Sequence, residues 1–256
     1  MSNVKYPALA AALSMVLFSG GIKEAFPAGI LVLTVFVFAE VLKNFLEPHL
    51  PVWSLRGCVL VASAAVSAAA FRWAWYGLGM EMSLLLWIMT AAVGLLAGYQ
   101  VLCWSPEADY GEILWQSAIL WFFWILLAGV REFAAYGDVA GNHLADPGFM
   151  SKTFGEPIFG FLTGGLALAF TNGILKQSAP RMESMVSMVP AVIFAQPYAL
   201  ESVPGLAGVL ITILVPLVLF WSVRKYLRFS RPGKAYRNLP VEMLSMGLIY
   251  MILNIY

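Results

Sequence analysis

The strongest constraint on this chain is a succession of apolar runs, most of them long enough to cross a lipid bilayer, separated by short polar breaks. Candidate spans lie at about 8–22, 28–46, 53–71, 83–103, 113–134, 157–175, 186–200, 205–223 and 240–256. A helix needs about 20 mostly apolar residues to cover the hydrocarbon core. Lipid offers no partner to an unpaired backbone amide, so only helices and closed barrels cross it. A barrel requires short segments of alternating polarity, and the runs here do not alternate. The residues are 61% hydrophobic and 11% charged, where soluble domains carry roughly 25% charged residues. The sequence therefore predicts an all-α integral membrane protein with about 8–9 transmembrane or re-entrant helices.

Two of these spans are irregular. The first is short and ends at Gly20-Gly21, followed at once by Lys23-Glu24, the pattern of a broken or re-entrant helix. Ser19 to Glu24 makes a poor small-x-small cleavage site, so the segment is expected to be retained. The seventh span contains Pro190 and Gln196-Pro197, which predicts a stretch that lies along the surface or dips in and returns.

The first six spans read as two inverted three-helix repeats. In the first half, Lys23-Glu24-Ala25-Phe26 precedes a span ending in Glu40-Val41-Leu42-Lys43. In the second, Glu107-Ala108-Asp109-Tyr110 precedes a span ending in Arg131-Glu132-Phe133. An odd number of spans per repeat inverts the second copy, a recurrent transporter design. The expected division is a six-helix core over 1–177 and a C-terminal extension over 178–256, with two to three further helices and a basic loop.

If every span crosses, Lys5, Lys43, Arg56, Lys176, Arg181 and the cluster Arg224, Lys225, Arg228, Arg231, Lys234 and Arg237 share one side. Lys23, Arg72, Arg131 and Lys152 take the other, which is eleven cations against four. The positive-inside bias then puts the N-terminus and the loop 224–237 on the cytoplasmic face of the cell (inner) membrane. A net charge of +1 gives no reason to expect a nucleic-acid partner.

Charge inside a span is costly and needs a reason. Glu40 and Lys43 lie three residues apart on one helix face; they form a helix-end pair or part of an ion path. Arg131 and Glu132 close a long apolar run and, as sequence neighbours, are expected to pair with other helices. Glu107, Asp109 and Glu112 form an acidic patch, read as a solvated loop end or as the way in for a cation. Cys58 and Cys103 stand in or beside apolar runs, His49 and His143 in loops without metal-ligand spacing. Nine tryptophans gather mostly near span ends, the expected interfacial belt. Trp121 and Trp124 lie deeper and suit packing against a partner or contact with a pigment or quinone. Gly94, Gly98 and Gly164-Gly165 favour close helix contact.

Leu127-Ala128-Gly129-Val130-Arg131-Glu132-Phe133-Ala134-Ala135-Tyr136-Gly137 resembles the apolar helix ending in Gly-x-x-Arg-Glu-Leu of the Rnf/Nqr membrane-subunit family. Ser105-Pro106-Glu107-Ala108 and Glu156-Pro157-Ile158-Phe159-Gly160-Phe161 through Leu168 resemble two further segments of that family, in the right order. The likeness covers roughly 8–177. It implies six helices in two inverted triplets, other membrane and redox subunits as partners, and redox-driven transport of sodium or protons. It also implies an iron–sulfur cluster shared between paired chains, held by cysteines at the helix breaks. This sequence departs there: Phe18-Ser19-Gly20-Gly21 has no cysteine, and Cys103 lies three residues after the Tyr99-Gln100 counterpart of the second position.

The first expectation is thus a membrane subunit of a redox-driven ion-translocating complex. Glu40, Lys43, Glu107, Arg131 and Glu132 would be its charged frame and Cys103 the only candidate ligand. A stand-alone inverted-repeat transporter and a structural anchor or assembly subunit are the alternatives. No constellation of an intramembrane enzyme is visible.

Overall fold

The computed structural model describes residues 5–103, 109–178, 184–196, 206–226 and 232–254. Among these lie nine α-helices: α1 (Ala8–Phe18), α2 (Ile22–Leu46), α3 (Val52–Gly77), α4 (Leu84–Cys103), α5 (Tyr110–Tyr136), α6 (Pro157–Leu175), α7 (Ser184–Ala195), α8 (Leu206–Tyr226) and α9 (Leu239–Asn254). Five of the described helices, α2 to α6, are long and apolar enough to cross a membrane. The chain is a helical, multi-pass membrane protein. Among the described residues the strands form one hairpin of two residues each, β1 (Asp138–Val139) and β2 (Asn142–His143), between α5 and α6.

The apolar runs become helices because each can bury its side chains while satisfying its own backbone. Helix α1 shows this most fully. Every one of its residues is buried, as expected of a helix apolar on all sides, and it is surrounded by α2, α4, α6 and α7. Its eleven residues rise only about 16 Å at ~1.5 Å each. The non-helical lead Lys5–Pro7 extends that reach. Lys5 pairs with Glu112 at the start of α5, and Ser19 meets Arg131 near the end of α5. The break expected at Gly20-Gly21 is a corner between two helices: Ser19 closes α1 and Ile22 opens α2.

Helix α2 begins at Ile22 rather than near residue 28, so Lys23 and Glu24 belong to its first turn. A carboxylate there faces the partial positive charge of the helix start. At the far end of α1, amide side chains satisfy free main-chain groups: Leu9 N donates to Gln100 Oε1 (3.1 Å) and Lys5 N to Gln116 Oε1 (3.0 Å). The Tyr6 hydroxyl donates to Asn172 Oδ1 (2.7 Å), tying α1 to the end of α6.

Small residues set the closest approaches. A side-chain carbon added to Gly94 would collide with the Ser63 carbonyl and lie 2.6 Å from Ser67 Cβ on α3. A backbone carbonyl cannot yield, so Gly94→Ala is expected to cost about 1–3 kcal/mol through overpacking. Gly57→Ala, whose added carbon would meet nothing within 4 Å, should gain about 0.5–1 kcal/mol from reduced chain entropy. Unfolding of both variants in detergent checks the pair. Trp121 covers Gly29 and donates to the Phe26 carbonyl (3.1 Å), while Trp124 is buried. Both pack within the chain. The C-terminal helices are folded onto the core: α7 lies on α1 and α4, and α9 on α6. Met243 and Leu244 fill the space left by Gly164 and Gly165.

Candidate functional site

Two charged corners lie at opposite ends of the bundle, each where the end of one helix meets the charged tip of another. At the first, α5 delivers Arg131 and Glu132 to the corner between α1 and α2. Both are buried. Because neighbours on a helix diverge, they serve different partners. Arg131 donates from Nη1 to Ser19 Oγ (2.5 Å), from Nε to Phe154 O (2.6 Å), and from Nη2 to Gly155 O (3.0 Å) and Glu156 O. A planar guanidinium with five donors is the side chain that can fasten a helix end and a loop together in this way.

Glu132 accepts from Ile22 N (2.9 Å), Gly141 N (2.9 Å) and Ala140 N (3.2 Å). It therefore caps the start of α2 and fastens the hairpin turn. That turn has positive φ at both central residues, 54° at Ala140 and 75° at Gly141, the geometry of a type I′ turn. Alanine tolerates this conformation poorly, and two hydrogen bonds to Glu132 hold it there. Gly137, with φ of 72°, ends α5 and lies so close to the Ala145 carbonyl that any side chain would collide.

A cavity of about 360 Å³ adjoins this corner, lined by Gly20, Gly21, Lys23, Glu24, Arg131 and Glu132 among others. Its lining mixes charged side chains with apolar ones such as Val16, Leu17 and Met80. A larger cleft of about 520 Å³ lies between the end of α3 and the start of α4, with the Arg72 guanidinium 5.4 Å from the Trp87 ring centre. It holds none of the expected frame residues.

The hairpin carries a pH-sensitive contact. His143 Nδ1 lies 2.9 Å from Asp138 Oδ1, and its Nε2 lies 3.5 Å from Asp146 Oδ1. The bond to Asp138, then the charge of Asp146, raise the His143 pKa above its ordinary value. A raised folded-state pKa means the contact's contribution is full below about pH 6.5 and is lost as pH rises through the higher folded value. Exchange of the Leu144 and Ala145 amides, which donate to Gly137 O, is expected to speed up beyond its intrinsic pH dependence on that rise. In His143→Gln the excess should disappear.

At the second corner, α2 delivers Glu40 and Lys43 toward the end of α4. Lys43 donates to the Val101 carbonyl (3.4 Å), and both residues are buried. Glu40 lies 2% exposed, and neither carboxylate oxygen has a hydrogen-bond partner among the described residues. Glu107 lies outside the described residues, as does the segment Ser105-Pro106-Glu107-Ala108. The frame is thus divided: Arg131 with Glu132 at one end, Glu40 with Lys43 at the other. Ser19, the carbonyls of Phe154 to Glu156 and the amides of Ala140 and Gly141 complete the first corner. None was visible beforehand, since main-chain groups carry no signature in sequence.

Cys103, at the end of α4, is free and exposed, as is Cys58. An iron–sulfur centre normally uses four thiolates, and the chain has two cysteines. Its residues therefore do not fit a cluster held by this chain alone. Among the described residues no group of three or more His, Cys, Asp or Glu could hold a metal ion. No family model matches the sequence, and neither a curated protein nor a solved structure matches it.

Proposed function

We propose that this chain is a membrane subunit of a multi-subunit, redox-driven ion-translocating complex of the Rnf/Nqr type, built on two inverted three-helix repeats. The observation that carries the reading is the equivalence of the two corners. Lys43 stands as far into α2 as Arg131 stands into α5. Lys43 reaches the end of α4, and Arg131 reaches the end of α1. Helix α3 lies along α4, and α6 along α1. Two repeats related by an in-plane axis account for this exchange, and in such folds the ion path runs where the halves meet. The likeness of residues 127–137 to the Rnf/Nqr helix supports the redox assignment. Electron carriers belong to partner subunits, and the N-terminus and loop 224–237 face the cytoplasm under the positive-inside rule.

A stand-alone inverted-repeat transporter is the second reading. It is favoured by Arg131 and Glu132, whose polar contacts are made within this chain. Pull-down of the chain from native membranes in mild detergent, without oxygen, followed by mass spectrometry, separates the two. Flavin or iron–sulfur proteins recovered in comparable amounts support the redox complex. A monodisperse chain recovered alone overturns it and leaves the transporter.

A further inference from the structure

The cleft between the end of α3 and the start of α4 holds two opposite charges that do not meet. Arg72, Trp75 and Tyr76 line it from α3, Glu81 from the connection, and Leu84 and Trp87 from α4. Its volume of about 520 Å³ is that of a small-molecule site, for which about 300–1,000 Å³ is usual. Arg72 and Glu81 are the charged residues of the lining, and both are exposed. Neither makes a hydrogen bond or an ion pair with another described residue.

The aromatic walls are held from behind. Trp87 Nε1 donates to the Ala68 carbonyl (3.2 Å), and the Arg72 guanidinium stands 5.4 Å from the Trp87 ring centre. Trp75 is buried and packs against Phe18 and Phe71, with ring centres 4.7 and 5.6 Å away. The cleft also lies at the boundary of lipid and water. Arg72 stands in the last two turns of one helix able to cross the membrane, and Trp87 in the first turn of the next. Trp73, Tyr76 and Leu84 are exposed beside it, and tryptophan and tyrosine favour headgroup depth. The acids of segment 104–108 follow the far end of α4, whose 20 residues span about 30 Å. Met80 lines both this cleft and the cavity with Lys23, Glu24, Arg131 and Glu132. That neighbouring set of two cations and two acids adds no net charge.

A guanidinium without a partner at headgroup depth is suited to phosphate, which it grips with two parallel donors. A purely anionic ligand would also meet the Glu81 carboxylate, whereas a zwitterion answers both charges. We propose that this cleft binds the headgroup of a zwitterionic phospholipid that bears a primary amine. The phosphate sits on Arg72 and the ammonium on Glu81, and the exposed rim at Tyr76 and Leu84 takes the start of the acyl chains.

The purified full chain in detergent is titrated with phosphatidylethanolamine, phosphatidylcholine or phosphatidylglycerol of the same acyl chains. Native mass spectrometry reads the affinity for the first bound lipid. Phosphatidylethanolamine is expected to bind most tightly, because the methylated ammonium of choline cannot donate to Glu81 and phosphatidylglycerol brings no cation. Arg72→Gln should weaken phosphatidylethanolamine about tenfold through loss of a charged hydrogen bond. Glu81→Gln should also weaken it and should strengthen phosphatidylglycerol, which erases the preference. If phosphatidylcholine or phosphatidylglycerol binds the unaltered chain as tightly as phosphatidylethanolamine, the proposal is overturned. A preference unchanged in Arg72→Gln or in Glu81→Gln overturns it too. Soluble glycerophosphoethanolamine that binds as tightly as the lipid overturns a lipid as the source. The comparison of lipids uses the unaltered chain, so it stands even if a variant fails to fold. Partner subunits take no part in the titration, so its outcome is separate from that of the pull-down.

Discussion

Arg131→Ala is expected to lower the stability of the folded chain by about 3 kcal/mol, the low end of what breaking a buried charged network costs. Arg131 is 4% exposed and joins three elements: the end of α1 through Ser19, the loop before α6 through Phe154, Gly155 and Glu156, and α5 itself. Its loss leaves three carbonyls and a hydroxyl without their charged donor. Each unsatisfied group costs about 1–3 kcal/mol when dry. The adjoining cavity of about 360 Å³ gives water a route to some of them, which holds the total near the lower figure. Arg131→Lys should recover only part of the loss, because an ammonium is a point donor and cannot span the separated acceptors. Unfolding in a graded denaturing detergent, followed by tryptophan fluorescence, gives the order wild type, Arg131→Lys, Arg131→Ala. Equal stability of the three would show that the network carries no net weight.

Glu132→Ala has the second largest expected effect, about 2–3 kcal/mol. It removes a charged acceptor from three main-chain donors at once, and charge-assisted bonds are roughly twice as strong as neutral ones. Its consequences should appear in two places. The Ile22 amide loses its cap, so the start of α2 frays. The hairpin loses the two bonds that hold Ala140 at a φ of 54°, a conformation that costs a non-glycine residue about 1–2 kcal/mol. Hydrogen exchange should therefore accelerate at Ile22, Ala140 and Gly141 together. Adding Ala140→Gly to Glu132→Ala should restore protection in the hairpin and leave Ile22 unprotected, since glycine relieves the turn and does nothing for the helix. Restoration at both places would mean that the two are coupled by something other than Glu132. Glu132→Gln keeps one acceptor oxygen and should fall between wild type and alanine.

Much of the architecture was legible in the residues. The limits of α6 (Pro157–Leu175) and nearly those of α4 (Leu84–Cys103) follow from where the apolar runs begin and end, because lipid tolerates little else along a spanning helix. Buried charge is expensive wherever it stands, so Arg131, Glu132, Glu40 and Lys43 marked themselves as residues with partners or with work to do. Gly94 and Gly98 announced a close helix contact by their spacing, and α3 makes it with Ser63 and Ser67.

The tertiary structure decided what those residues meet. Nothing local shows that Arg131 holds Ser19, more than a hundred residues away, or that Gln100 caps the first turn of α1 and Gln116 holds the lead before it at Lys5. The start of α2 was misplaced because Lys23 and Glu24 look like loop residues until Glu132 is seen to cap the helix there. The difference between the two corners is also tertiary: Glu132 has three donors and Glu40 has none among the described residues. The helices follow from residue-by-residue transfer between water and lipid, a property that each run carries by itself. The corners follow from main-chain donors and acceptors brought together by folding, and every residue type but proline offers the same pair.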